Sequence, residues 1–276
     1  MHPAPSFSFR FRIGTIGFSY PGWTGPFYPP GTRSTELLAS YATAFETVEL
    51  DTTFYGTPLP DRVKKWADAV PDPFEFCPKT PRQITHDAPL AEGHARIAEF
   101  IRALDPMHTA GKLGPILIQF PPSFAAAQHG ELDRFLASLP TDHRYAIELR
   151  HNSWRTEQTA ALLSRHRCAW VGADYSTKAL FPAITTNFLY LRFVGQHDFY
   201  PTHDHELIDP TERLAWWVEQ LLAAAPDLSP DFTVYALFAN DFAGYSPATA
   251  NRFRQLVSLT PRLPAPDAPP AQGSLF

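Results

Sequence analysis

The chain has 276 residues, of which 44% are apolar and 18% charged, and its formal net charge is -5 at pH 7. This composition is typical of a globular protein and excludes an intrinsically disordered one, while the length fits a single α/β barrel. The negative charge disfavours nucleic acid as a general partner, although a local basic patch would still be compatible with it. Two cysteines are too few for a disulfide framework or a zinc ribbon.

The N-terminus lacks a basic region followed by an apolar run, which argues against a signal peptide. No uninterrupted apolar run is long enough to span a bilayer, so we expect no contact with a membrane. The sequence therefore predicts a protein of the reducing cytoplasm.

Strand-like and helix-like segments alternate along the chain. Short runs rich in branched and aromatic residues predict strands, and these lie at residues 13–18, 47–51, 74–79, 115–120, 145–149, 169–174, 188–194 and 232–238. Apolar residues at helical spacing predict helices at residues 34–45, 60–70, 89–104, 131–138, 156–166, 211–224 and 247–259. Ser34 is suited to cap the first helix and Pro60 to begin the second. Residues 176–186 show no helical period.

Eight strands with intervening helices predict a (β/α)8 TIM barrel, formed as a single domain by residues 1–260. The alternative is a doubly wound open sheet, but the first strand is not followed by the glycine-rich phosphate turn typical of that fold. The remaining residues, 261–276, are rich in proline and predict a flexible tail.

Polar residues end nearly every predicted strand. In TIM barrels the C-terminal ends of the strands form the mouth that holds the active site, so polar groups from many strands predict a pocket there. These residues are Glu49, Asp51, Lys79, Gln119, Glu148, Arg150, Asp174, Arg192, Asn240 and Asp241.

Glu49 and Glu148 are the main candidates for acid–base or electrostatic work, because two carboxylates in one crowded mouth would have their pKa values pushed apart. Lys79 could serve as a Schiff-base amine, although a salt bridge is the simpler role. Arg150 and Arg192 suit a bidentate grip on a carboxylate or phosphate. The alternative is that the cations merely neutralise the carboxylates. We add Asp174 to the catalytic candidates.

Aromatic residues would ring this mouth and could stack on a sugar or a base, or could simply roof the barrel. They are Trp23, Phe54, Tyr55, Phe120 and Trp154. We assign the following residues to substrate binding: Asp51, Tyr55, Trp23, His86, Gln119, Arg150, Trp154, Arg192 and Asn240.

A metal site is weakly supported. His86, Glu49, Glu148, Asp174 and the run at residues 203–206 offer ligand types that suit zinc or manganese. Most histidines lie on predicted helices or loops, however, and no ligand-spacing motif is present. We therefore predict neither a metal ion nor a cofactor.

The end of the tail, Gln272-Gly273-Ser274-Leu275-Phe276, resembles the pentapeptide by which bacterial replication and repair proteins bind the sliding clamp. Two apolar anchors on a flexible tether are how a linear motif docks into a hydrophobic pocket. The resemblance implies contacts from Gln272, Leu275 and Phe276, while Gly273 departs from the usual Leu. A chance terminus is the alternative.

Several sequence blocks resemble the domain-of-unknown-function 72 family, also called YecE-like. The blocks are residues 14–20, 48–55, 74–81, 113–124 and 146–154. The resemblance covers the whole folded part and implies a TIM barrel, but no agreed activity. Three residues depart from the family pattern: Asp51 stands where Asn is usual, Val194 where His is usual, and Ala239 where the first of two Asn is usual.

We therefore predict an enzyme, a hydrolase, lyase or isomerase, acting on a small polar, phosphorylated or sugar-like substrate at the mouth. One alternative is a nuclease-like DNA-maintenance protein recruited to the clamp by the tail. The other is a barrel that binds a ligand without turnover.

Overall fold

Eight parallel strands form a barrel in the computed structural model, which describes residues 5–87, 90–175 and 179–263. The strands of the sheet are β1 (Arg10–Ile16), β2 (Thr47–Leu50), β3 (Glu75–Pro78), β4 (Ile116–Gln119), β5 (Tyr145–Glu148), β6 (Ala169–Asp174), β7 (Ala179–Leu180), β8 (Phe188–Phe193) and β9 (Thr233–Phe238). The short β7 pairs antiparallel with β6 and is not one of the eight.

Helices connect the strands and cover the barrel. Those of the described chain are α1 (Leu37–Ala44), α2 (Pro60–Asp68), α3 (Arg82–Thr85), α4 (Leu90–Ala103), α5 (Asp105–Thr109), α6 (His129–Ala137), α7 (Glu157–Arg165), α8 (Thr211–Ala224) and α9 (Ser246–Leu256). None of these described helices has the length and hydropathy needed to cross a membrane.

The strand order is β3-β2-β1-β9-β8-β6-β5-β4, with β1 hydrogen-bonded to both β2 and β9. The ends of this order, β3 and β4, approach through isolated bridges such as Lys79 to Leu117. The Thr80 amide also donates to the Leu117 carbonyl at 2.9 Å. The barrel is therefore nearly closed, which confirms the predicted TIM barrel over an open sheet.

The connection between β6 and β8 has no helix in its described part, residues 179–187. This agrees with the missing helical period there. Instead β7 folds back on β6, with Leu180 opposite Ala173.

Two layers of core follow from the alternation of side chains along each strand. One set faces the helices and includes Val48, Ile118 and Trp170. The other fills the lumen and includes Cys77, Leu117, Ala146, Ala169, Val171, Tyr190 and Tyr235. A residue two positions from a lumen residue also faces the lumen, so this layering decides which strand-end side chains can meet.

Several predicted boundaries differ from the structure by a few residues; the first strand, predicted at residues 13–18, spans Arg10–Ile16. Ser34 does not cap α1, which begins at Leu37. β2 ends at Leu50, one residue before its predicted end, because Asp51 begins a short 3-10 helix that runs to Tyr55. The Thr53 hydroxyl holds this turn by donating to the Leu50 carbonyl at 2.7 Å.

The described chain continues to residue 263, past the predicted start of the tail at residue 261. The Asn251 side chain of α9 accepts hydrogen bonds from the Arg262 amide at 2.8 Å and the Leu263 amide at 3.2 Å. The rest of the predicted tail, including the clamp-like peptide, lies outside the described residues.

Candidate active site at the barrel mouth

A buried ion-pair network centred on Arg192 occupies the C-terminal mouth. The Arg192 Nε and Nη2 atoms donate to the two oxygens of Glu49 at 2.9 and 2.6 Å. Its Nη1 donates to Glu148 Oε2 at 2.6 Å. Three separate strands, β2, β5 and β8, therefore bring together the side chains that the sequence predicted to converge.

Three further side chains complete the network. The Tyr190 hydroxyl donates to Glu49 at 3.0 Å, and Gln119 Nε2 donates to Glu148 Oε1 at 2.9 Å. The Tyr175 hydroxyl donates to the same Glu148 oxygen. Sequence reasoning missed both tyrosines as site residues. Tyr190 could have been found from its position two residues before Arg192, on the same face of β8.

Arg192 holds the Glu148 carboxylate in its charged form. Burial alone would raise the pKa of Glu148, but the Arg192 charge and the Tyr175 hydrogen bond outweigh it and lower that pKa. Only 5% of the Arg192 side chain is exposed. Arg192 is thus paired with two buried carboxylates, which fits the alternative of charge neutralisation, while its predicted grip on an anion stays a prediction.

Lys79 lies near the network and has no ion-pair partner among the described carboxylates. Its Nζ is 4.0 Å from the centroid of the Phe54 ring, and among the described carboxylates none forms an ion pair with it. The salt bridge predicted as its simpler role is thus not formed within the described chain. Burial, with help from the Arg192 charge, lowers the pKa of Lys79 to about 8. At neutral pH roughly a tenth of these amines would be uncharged.

Two more titratable groups border Lys79. Burial, with the nearby charge of Glu49, raises the pKa of Asp51, so this carboxyl holds a proton more readily than an ordinary aspartate. Burial and the charge of Lys79 lower the pKa of His86, which favours its neutral form. The His86 ring also makes an edge contact with Phe54, with 5.1 Å between centroids.

A cavity of about 220 Å³ opens beside the network, on the β5–β6 side. Its lining includes Glu148, Arg150, Asn152, Arg155 and Tyr175. The Arg150 guanidinium lies 5.0 Å from the centroid of the Tyr175 ring. Both arginines are exposed, and no ion pair joins either to a carboxylate of the described chain. The sequence identified Arg150 as an anion-binding residue but missed Arg155.

Asp174 does not reach the mouth, contrary to its predicted catalytic placement. It shares the outer face of β6 with Trp170, which packs against the helices. Its Oδ2 accepts hydrogen bonds from Trp217 Nε1 at 2.9 Å and Arg213 Nε at 2.8 Å, both from α8. The carboxylate thus ties α8 to the barrel wall.

Three predicted stacking residues are sealed inside the protein. Trp23, Phe120 and Trp154 are all 0% exposed. Trp23 Nε1 donates to Asn240 Oδ1 at 3.2 Å, and Trp154 Nε1 donates to the Phe124 carbonyl at 2.8 Å. They roof the barrel and do not offer a ring to a substrate, which was the alternative interpretation.

The remaining predicted binding residues divide between the mouth and its support. Asn240 is 4% exposed, and its Oδ1 also accepts from the Ser246 amide at 3.0 Å, so it positions the start of α9. Tyr55 is 78% exposed and lies at the rim of the mouth beside Phe54.

The three departures from the family pattern lie around this mouth. Val194 and Ala239 are partly buried and pack against the lumen cluster, which makes that part of the wall apolar. Asp51 adds a carboxyl near Lys79. No three ligand-type side chains of the described mouth lie close enough together to share one metal ion.

Comparison with known proteins gives the chain a family. The family model described as "Protein of unknown function DUF72" matches residues 12–273. UPF0759 protein YecE of Escherichia coli K12 is 34% identical over 139 residues, which are 50% of this chain and 48% of that protein. UPF0759 protein YunF of Bacillus subtilis 168 is 30% identical over 144 residues, 50% of this chain and 51% of that one. The matched segment thus spans about half the length of these curated relatives.

Solved structures agree with the fold. A DUF72 family protein from Thermotoga maritima has a TM-score of 0.74 at 27% identity, covering 90% of this chain and 99% of that one. A second, from Enterococcus faecalis, has a TM-score of 0.73 at 23% identity, covering 91% and 96%. As its sequence blocks predicted, the chain belongs to the DUF72 family of proteins of unknown function.

Proposed function

We propose that this protein is an enzyme in which the Lys79 amine forms an imine with a small carbonyl-containing anion bound at the barrel mouth. The observation that carries the proposal is the position of Lys79. Its amine stands at the C-terminal end of a barrel strand, against the Phe54 ring and without a partner among the described carboxylates.

The charge state of Lys79 supports this role. An amine must be neutral to attack a carbonyl carbon, and burial lowers the pKa of Lys79 to about 8. Attack forms the carbon–nitrogen bond, and one amine proton moves to the former carbonyl oxygen. A second proton then lets that oxygen leave as water, which yields the protonated imine. Asp51, with its raised pKa, is suited to supply the proton for that departure.

The cavity beside the ion-pair network supports the substrate class. Arg150 and Arg155 line the cavity of about 220 Å³ and are not paired with a described carboxylate. Guanidinium groups that are not already paired with a carboxylate of the protein can bind the carboxylate or phosphate of a ligand. The Glu49–Arg192–Glu148 network forms a rigid floor below them. Small 2-oxo acids and phosphorylated aldehydes or ketones combine the required anion and carbonyl. An enzyme of this kind is a lyase or isomerase.

Imine trapping tests the proposal. The full-length protein is incubated with a panel of 2-oxo acids and sugar phosphates in the presence of cyanoborohydride, which delivers hydride to the imine carbon. Intact mass and peptide mapping should show one adduct, on Lys79, that is absent in Lys79→Met. The matched control is Lys64→Met, because Lys64 is an exposed lysine of α2.

Labelling spread over exposed lysines, or unchanged in Lys79→Met, would overturn the assignment. Tight binding of a panel compound with no adduct and no turnover would favour the ligand-binding barrel instead.

A further inference from the structure

A second group of ligand-type side chains lies at the opposite end of the barrel from Lys79. His108 belongs to α5, which precedes β4, and Asp142 and His143 come just before β5. One potential ligand atom from each residue lies within 4.8 Å of the others. Residues that precede strands lie at the N-terminal face of the barrel, so this group is separate from the mouth.

His143 places one donor atom of this group beside a carboxylate. Its side chain is only 5% exposed, and its Nδ1 lies 2.8 Å from Asp142 Oδ1. With the ring proton on Nε2, the Nδ1 lone pair and Asp142 Oδ1 are two donor atoms side by side that one metal ion could share. The Nε2 atom is buried and has no hydrogen-bond partner among the described residues.

His108 lies against His143 on the outer side. The two imidazole centroids are 4.4 Å apart, with the ring planes inclined by 45°. Both His108 and Asp142 are exposed, so their side chains can move while His143 stays in place. Ligands on one zinc ion lie roughly 3.3 Å apart, given metal–nitrogen bonds of about 2.1 Å. Bringing the three ligand atoms to these metal-binding distances therefore requires movement of surface side chains alone.

We propose that His108, Asp142 and His143 bind a divalent transition-metal ion, with Zn²⁺ as the reference ion. Two imidazoles and one carboxylate match the donor preference of zinc, and water can complete a tetrahedral sphere. The ion would join α5 to the start of β5. Because it lies at the N-terminal face, it would act on stability and not on chemistry at the mouth.

Calorimetric titration of metal-depleted full-length protein with Zn²⁺ tests the site. We expect one ion per chain at pH 7.5 and a higher melting temperature in its presence. His108→Ala should weaken binding by at least about 100-fold and abolish the thermal shift. His151→Ala, which removes an exposed histidine elsewhere, should bind as the unaltered protein does.

His143 is buried and its replacement could unfold the protein, so the decision rests on the two exposed ligands. Asp142→Asn provides the second such variant. Absence of Zn²⁺ binding to the unaltered protein, or unchanged affinity in both His108→Ala and Asp142→Asn, would overturn the proposal. So would loss of binding only in His203→Ala, which would assign the ion to the loop that carries His203.

Discussion

Arg192 and Glu49 form a two-point hydrogen-bonded ion pair, with N–O distances of 2.9 and 2.6 Å, inside the lumen of the barrel. Glu49 is 0% exposed, and the same guanidinium also neutralises Glu148. Because the Arg192 cation lies between two buried carboxylates, the ion-pair network at the mouth depends on this residue. This pairing also makes Lys79, which has no ion-pair partner among the described carboxylates, the more available group for chemistry.

Replacement of Arg192 by Met should strongly destabilise the fold. The change leaves Glu49 and Glu148 buried without their cation, and breaking a buried pair in this way costs about 3–5 kcal/mol. Urea unfolding at pH 7 measures the loss. The exposed pair Lys64–Asp68 provides the control, because Lys64→Met should change the free energy of unfolding by less than about 1 kcal/mol. Equal effects of the two substitutions would contradict a buried, tightly coupled network.

Lys79 should make stability rise in the alkaline range. Its pKa is about 8 in the fold and 10.5 in an ordinary lysine, so between these values the unfolded chain binds more protons. Stability that is missing at pH 7 should therefore return as the pH rises from about 8 to 10.5, by roughly 2–3 kcal/mol. The comparison of Lys79→Met with the unaltered protein isolates this contribution. The Lys79→Met variant should have the higher free energy of unfolding at pH 7, and this difference should shrink toward pH 10. A pH-independent difference would show that Lys79 is not desolvated.

Arg150 and Arg155 should control anion affinity. Hydrogen bonds to charged groups contribute about 1.5–3 kcal/mol each, so each change to Gln should weaken binding of a small 2-oxo acid by roughly 10- to 100-fold. Calorimetry with the acid, and separately with inorganic phosphate, measures the effect. Arg62→Gln, at an exposed position of α2, is the matched control. Affinity that is unaffected by both mouth substitutions would remove the cavity of about 220 Å³ from consideration as the anion site.

The clamp-like tail stays a prediction, since residues 272–276 lie outside the described chain. If the resemblance reflects function, full-length protein should bind its own bacterial sliding clamp with micromolar affinity. Removal of Leu275 and Phe276 should abolish that binding, because these are the two apolar anchors. Surface plasmon resonance with both versions decides the matter. Failure of the full-length protein to bind would leave the tail as a chance terminus.

Much of the mouth was predictable because strand ends of a parallel barrel meet at one face. That rule correctly grouped Glu49, Glu148 and Arg192, from strands far apart in the chain. It did not identify Tyr175, whose position follows from the turn after β6, or Arg155, which lies beyond β5 in a loop. Loop conformations depend on contacts that strand periodicity does not encode.

The sequence by itself determined the number and order of the barrel strands and the polar character of their ends. Alternation along a strand also assigns residues to two faces, but it does not say which face is inside. Only the tertiary structure decided that Glu148 points into the lumen while Asp174 points outward to Trp217 and Arg213 of α8. It likewise decided that Arg192 pairs with Glu49 and Glu148, and that Lys79 has no ion-pair partner among the described carboxylates. Charge pairing depends on distances across the barrel, and those distances exist only once the strands have closed into a ring.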